Sequence, residues 1–257
     1  MKLIHGSALT VKIPPFDHVV TSPPYYKLRK YGGKGELGWE RSEQEYIDNL
    51  VQVFTRLWEQ QPAEGTLWIN IGDKHDKGRL MGLPWRLVVA LMPFYTLHSD
   101  NIWHKRRIMP QSAKTRFTCD HEYVFFLSKS PKEYTFNHEA VMQKSLWAHD
   151  RRAGKGAHRY RQKRERDGLG HTAPVVINEK RLCRTVWNDI STNQEDKNHS
   201  ATFPVAIPER CILAGSNPGD TILDPFCGTC TTGVAAEKHG RKFIGIDTNK
   251  DFFQAIQ

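Results

Sequence analysis

The chain has too few cysteines for a disulfide framework, no apolar run of membrane length and no second metal-binding cysteine pair. Its five cysteines (Cys119, Cys183, Cys211, Cys227 and Cys230) are an odd number scattered over 257 residues, which points to reduced thiols in a cytosol-like compartment. Cys227 and Cys230 make one CxxC, but no second pair completes a zinc site. The most apolar stretch, Leu83 to Tyr95, is short and carries Arg86, so it does not read as a membrane span. Met1 to Leu9 is too short and too polar for a signal peptide. These absences give the expectation of a soluble, cytoplasmic protein with no membrane partner and no metal.

What is present is unevenly spread. The net charge is +9, yet Lys144 to Arg184 alone carries twelve Lys/Arg against four acidic residues, Asp150, Glu165, Asp167 and Glu179. Such a run is by default a solvated surface. With Gly154, Gly156, Gly168, Gly170, His149, His158, Tyr160 and His171 interleaved, it equally suits a loop that tracks phosphates. Composition leaves these two readings even.

Strand and helix patterns alternate elsewhere. Strands are expected near Leu3-Ile4, over Asp17 to Thr21, Thr66 to Ile71, Leu97 to Trp103, Tyr123 to Leu127, Thr221 to Leu223 and Phe243 to Ile246. Ser42 with Glu45 forms a capping box before Tyr46, Ile47, Leu50, Val53, Phe54, Leu57 and Trp58, which share one helical face. Further helices are expected over Leu83 to Met92, Pro208 to Ala214 and Thr231 to His239, the last closed by Gly240. The glycine-rich Lys27 to Gly38 reads as a mobile loop. The alternation predicts an α/β protein whose mostly parallel sheet carries helices on its faces.

Two strand ends bear chemistry. Thr21-Ser22-Pro23-Pro24-Tyr25 follows Val19-Val20, and Asp224-Pro225-Phe226-Cys227-Gly228-Thr229 follows Thr221-Ile222-Leu223, the ends at which open α/β sheets build sites. An exocyclic base amine is a poor nucleophile, because its lone pair is delocalised into the ring. The Ser22 hydroxyl and the Pro23 carbonyl, its direction fixed by two consecutive prolines, offer acceptors that localise that pair. Tyr25 offers a ring face to a base extruded from the duplex. Asp247 ends the strand after Asp224, close to the spacing of about 20 residues at which an acid meets ribose hydroxyls in nucleotide-binding units.

The first segment resembles the catalytic loop of amino-group DNA methyltransferases, and the second resembles their S-adenosylmethionine loop. Similarity continues in Ile69-Asn70-Ile71-Gly72-Asp73, Ile102-Trp103-His104-Lys105, Arg116 to Tyr123, Val186-Trp187 and His199 to Pro204. With the catalytic loop first, the chain is similar to the circularly permuted beta group. That resemblance implies a Rossmann-like methyltransferase fold with a catalytic half over 1–139, a basic target-recognition insertion over 140–190 and a cofactor half over 191–257. It implies S-adenosyl-L-methionine as cofactor, held by Thr21, Thr202, Phe203, Asp224, Phe226, Cys227, Gly228, Thr229, Thr231, Thr232 and Asp247. Ser22, Pro23, Pro24 and Tyr25 would carry catalysis. Arg151, Arg152, Arg159, Arg161, Lys163 and Arg164 would contact double-stranded DNA.

Thr-Ser-Pro-Pro-Tyr is the variant typical of N4-cytosine enzymes, so the resemblance implies methylation of a flipped cytosine at N4. The same reaction on adenine N6, and an inactive nucleic-acid-binding protein with this fold, stay as alternatives. Carbon-5 methylation needs a cysteine nucleophile, usually after proline, and no cysteine here follows a proline. The implied partners include a second copy of the chain and a cognate restriction endonuclease. One position departs from the family loop Phe-x-Gly-x-Gly: the second glycine is Cys230, whose side chain is expected to fill space normally left open.

Overall fold

The computed structural model of the protein describes residues 1–30, 32–33, 35–106, 108, 112–144, 180–191 and 203–254. They form two compact units, one comprising Met1–Asn137 with Thr185–Gln257 and the other His138–Arg184.

The larger unit is built on an eight-stranded sheet: β1 (Lys2–His5), β2 (His18–Thr21), β3 (Thr66–Ile71), β6 (Thr96–His104), β7 (His121–Ser128), β10 (Val186–Trp187), β11 (Thr221–Asp224) and β12 (Lys242–Asp247). Its order is β1-β12-β11-β2-β3-β7-β6-β10. Every neighbouring pair is parallel except those of β7, which runs against both β3 and β6. The first and last strands of the chain are therefore neighbours, and the sheet is mixed but mostly parallel. A two-stranded ribbon, β4 (His75–Asp76) with β5 (Arg79–Leu80), projects after β3; no sequence signal had indicated it.

Burial sets the layers. β2 and β3 are buried along their whole length, which explains their continuous apolar and β-branched sequences. Helix α1 (Glu43–Gln60) buries Tyr46, Ile47, Leu50, Val53, Phe54 and Leu57. These pack in one cluster with Leu87, Val88 and Leu91 of α2 (Leu83–Leu91) and with Val19, Leu67, Ile69, Leu223 and Ile244 of the sheet. Helices α3 (Ala206–Gly215) and α4 (Thr231–Lys238) pack together and against β2, β11 and β12. Gly215 lets α3 close on the sheet, since a Cβ there would lie 2.4 Å from the Trp68 indole nitrogen. A short α5 (Asp251–Gln254) follows β12.

The ends of these elements are set locally. The Ser42 hydroxyl accepts from Glu45 N–H at 3.1 Å, while Glu45 accepts from Arg41 N–H at 2.9 Å, a capping box displaced by one residue. Asp73 caps α2 from a distance, accepting from Gly82 N–H at 2.8 Å and Leu83 N–H at 3.3 Å. That satisfies helix-end donors which Gly82, at the cap position, has no side chain to satisfy.

The smaller unit holds a 3₁₀ turn (His138–Val141) and an antiparallel ribbon, β8 (Met142–Lys144) with β9 (Lys180–Leu182). Arg151, Arg152, Arg159, Arg161, Lys163 and Arg164 lie outside the described residues, as does Thr202. No helix among the described residues is long and apolar enough to cross a membrane.

Candidate active site

The carboxyl ends of β1, β2, β3, β6, β11 and β12 converge on one cavity of about 600 Å³. Ser22, Pro23, Pro24 and Tyr25 line it together with Phe203, Pro225, Phe226, Cys227, Gly228, Thr229, Thr231 and Asp247. The two segments, whose Thr21 and Asp224 are 203 positions apart in sequence, are thus brought to one site, because β11 pairs directly with β2 through Ile222–His18 and Leu223–Val19.

At one end the polar atoms are organised around Glu122. The Tyr25 hydroxyl donates to Glu122 Oε2 at 2.7 Å, and Asn70 Nδ2 donates to the same oxygen at 2.8 Å. Lys105 Nζ donates to Glu122 Oε1 and lies over the Trp103 ring, 5.0 Å from its centroid. Burial and the neighbouring Glu122 carboxylate push the Tyr25 pKa well above its ordinary value, so the phenol stays protonated. Pro24's carbonyl accepts from the Tyr46 hydroxyl at 2.9 Å, whereas no described residue donates to the Pro23 carbonyl. Gly72 makes this clustering possible: a Cβ there would lie 3.1 Å from both Tyr25 Cε2 and Glu122 Cγ.

At the other end Asp247 accepts from Gly228 N–H at 2.9 Å and from Asn249 N–H at 2.8 Å. A carboxylate accepts about four hydrogen bonds, so capacity remains toward the cavity, which Asp247 lines. Burial raises its pKa. A Cβ on Gly228, whose φ is +49°, would meet nothing within 4 Å. Bare backbone therefore faces open space beside an acid, a cradle that suits the ribose and methionine portions of S-adenosylmethionine. Arg56 of α1 holds a third wall by donating to Ala8 O at 2.5 Å and Val11 O at 3.0 Å.

Three expected residues stand behind this wall. Asp224 is 1% exposed and accepts from Thr21 Oγ1 at 2.6 Å, Thr232 Oγ1 at 2.8 Å and Phe226 N–H at 3.0 Å. Neither Asp224 nor Thr21 nor Thr232 lines the cavity. Burial pushes Asp224 up to about 6. Cys230 corrects another expectation. It caps α4 with φ 58° and ψ 36°, a left-handed conformation that favours glycine. Its side chain is fully buried and contributes nothing to the cavity wall. Backbone conformation, not room for the cofactor, accounts for glycine being usual there.

Several wall residues were not foreseen. Leu28, Arg29, Lys30, Gly35, Glu36 and Leu37 line the cavity, so the glycine-rich loop read as mobile forms part of the site. Gly33 packs so closely on Thr248 that a Cβ would lie 2.1 Å from its hydroxyl. Lys105 and Glu122 fall in two separate segments that resemble the family pattern, Ile102-Trp103-His104-Lys105 and Arg116 to Tyr123. Only the β6–β7 register, which sets Trp103 opposite Glu122, brings them together. Among the described residues no group of His, Cys, Asp and Glu is placed to hold a metal ion.

Comparison with known proteins agrees with this geometry. The family model described as DNA methylase matches residues 16–257. Type II methyltransferase M.SmaI of Serratia marcescens is 35% identical over 267 residues, covering 92% of this chain and 81% of that protein. The PvuII DNA methyltransferase, described as cytosine-N4-specific, shares the fold with a TM-score of 0.70 at 19% identity, over 99% of this chain and 84% of that one. TTHA0409 of Thermus thermophilus, solved with S-adenosyl-L-methionine, matches with a TM-score of 0.64 at 23% identity, over 99% and 90% of the two chains. The chain belongs to the DNA methylase family that modifies amino groups at N4 or N6, and it is an S-adenosylmethionine-dependent DNA methyltransferase.

Proposed function

We propose that the protein methylates cytosine at N4, with the acceptors Ser22 and Pro23 receiving the amine. The observation that carries this reading is Ser22 itself. It is a neutral hydroxyl at the first position of the Ser-Pro-Pro-Tyr loop, and it lines the same cavity as the Gly228–Asp247 cradle. The PvuII enzyme, whose described specificity is cytosine N4, shares this fold.

S-adenosylmethionine, when bound, supplies an electrophilic methyl group next to a positively charged sulfur. Asp247 would hold its ribose hydroxyls, the backbone at Gly228 and the first turn of α4 beside Thr231 its methionine portion, and Phe226 and Phe252 its apolar surface. Asp224, through Thr21, Thr232 and Phe226, fixes the loop that carries these groups. Ser22 and Pro23 accept hydrogens from the amine and so direct its lone pair toward the methyl carbon. Tyr25, its hydroxyl tethered to Glu122, offers a fixed ring to an extruded base. With the methyl group supplied to its nitrogen, the amine would give up one of its hydrogens as a proton, which the Ser22 and Pro23 acceptors that hold it would pass on to water.

The basic residues between Lys144 and Lys180 would contact the DNA, and the insertion they occupy separates the catalytic from the cofactor loop. That arrangement, with β1 beside β12, supports a permuted order. The test is to digest DNA treated with the protein and S-adenosylmethionine to nucleosides and weigh them. N4-methyl-2′-deoxycytidine is expected, and N6-methyl-2′-deoxyadenosine alone overturns the reading.

A further inference from the structure

The two oxygens of the Glu122 carboxylate hold two different groups side by side. On Oε2 sits the Asn70 amide, with its Nδ2 donating at 2.8 Å. That bond fixes the amide's orientation, because an ionised carboxylate only accepts. The other end, Asn70 Oδ1, is buried with no hydrogen-bond partner. A buried acceptor left unpaired is costly, and Asn70 lines the cavity while its amide also reaches the Tyr25 hydroxyl of the catalytic loop. On Oε1 sits the Lys105 ammonium, which has three donors and gives Glu122 one. Lys105 also lines the cavity and is steadied by the Trp103 ring.

The wall thus presents a cationic donor with hydrogens to spare, anchored on Glu122 and on the Trp103 ring. We propose that Lys105 reads the edge of the extruded base, donating to the unprotonated ring nitrogen beside the amine that Ser22 and Pro23 receive. Glu122, itself held by Asn70 and Tyr25, is the positioning residue for Lys105, and Gly72 leaves room for it. Bases with an amine beside a bare ring nitrogen, cytosine and adenine, match this pattern. Thymine, and guanine on its Watson–Crick edge, do not: each sets a ring N–H against the ammonium. On cytosine the carbonyl at position 2 lies next along the same edge and gives the ammonium's last hydrogen a second acceptor, which adenine lacks. The inference rests on the amino-methyltransferase reading, and it adds how the amine-bearing bases are told from the others.

The experiment is a cycle between one protein group and one substrate atom. The methylated site is first located by sequencing DNA from cells that express the protein. Duplexes are then made with the target cytosine or with 3-deazacytosine, in which C–H replaces the ring nitrogen (1-deazaadenine serves if the base is adenine). Single-turnover methylation is measured with enzyme in excess, so that slow variants stay readable. Wild type and Lys105→Arg are expected to slow roughly ten- to hundredfold on the deaza base, the range of a hydrogen bond from a charged donor. Lys105→Met is expected to slow less than about threefold between the two substrates. Lys105→Gln, neutral but able to reach Glu122, takes its place if Lys105→Met folds poorly. A substrate ratio in the neutral variant equal to wild type overturns the inference, as does a wild type indifferent to the ring nitrogen. A wild type that methylates neither base refutes the amino-methyltransferase reading instead, so the two failures are distinct.

Discussion

Replacing Asp224 by Asn should flatten one component of the protein's pH dependence of stability. Asp224 is almost wholly buried and held by Thr21, Thr232 and the Phe226 amide. Desolvation outweighs those three bonds and lifts the carboxyl from 3.8 to about 6. A shift of roughly two units corresponds to about 3 kcal/mol. The folded protein therefore binds this proton more tightly than the unfolded chain. The associated stability is fully present below pH 3.8 and is lost as pH rises through about 6. At pH 7.5 the wild type carries the whole cost of the buried charge, and Asp224→Asn, with nearly the same shape and no charge, carries none. Urea unfolding of both proteins between pH 4 and pH 8 measures this directly. The stability of wild type relative to the variant should fall by about 2.5 kcal/mol across the window. Titrations shared by the two proteins cancel in the difference, as does any constant offset from altered hydrogen bonds. Parallel stability curves would refute the reasoning.

Three further substitutions probe residues that stand behind the cavity wall. Cys230→Gly should leave S-adenosylmethionine affinity within about threefold and stability within about 1 kcal/mol, since relief of the left-handed strain offsets lost burial; a large gain in affinity by calorimetry would mean that the thiol does obstruct the site. Gly72→Ala should lower kcat on the order of tenfold by displacing Tyr25 and Glu122 a few tenths of an ångström, with cofactor affinity unchanged; an unaltered kcat contradicts this. Arg56→Met should lower stability by about 1–3 kcal/mol, because the Ala8 and Val11 carbonyls lose their donor, and thermal unfolding reads it.

The parts of the molecule that could be read from sequence are those with a local cause. Continuous apolar residues over Thr66 to Ile71 and the 3.6-residue spacing from Tyr46 to Leu57 mark a buried strand and an amphipathic helix wherever they occur. The Ser-Pro-Pro-Tyr and Asp-Pro-Phe segments lay at strand ends for the same reason. Strand direction has no such local mark: β7 has the composition of any buried strand, and its reversal follows from a hairpin with β6. The role of Lys27 to Gly38 was hidden because glycine content signals backbone freedom, not the Gly33–Thr248 contact that holds the loop at the cavity. Asp224 was expected to touch the cofactor, since spacing along the chain does not tell a carboxylate behind the wall from one in it. The Lys105–Glu122 pair needed the strand register, and Asn70's unpaired oxygen needed the partners of its other end.

The central claim is that one cavity divides into an amine end and a cofactor end. Transfer of an isotopically labelled methyl group from S-adenosylmethionine to duplex DNA tests it in wild type, Ser22→Ala and Asp247→Ala. The prediction is label on cytosine N4. Ser22→Ala should lose about a hundredfold in kcat with cofactor binding intact, and Asp247→Ala should weaken cofactor binding on the order of tenfold or more. Label on a ring carbon, or cofactor affinity lost in Ser22→Ala and untouched in Asp247→Ala, would contradict the account.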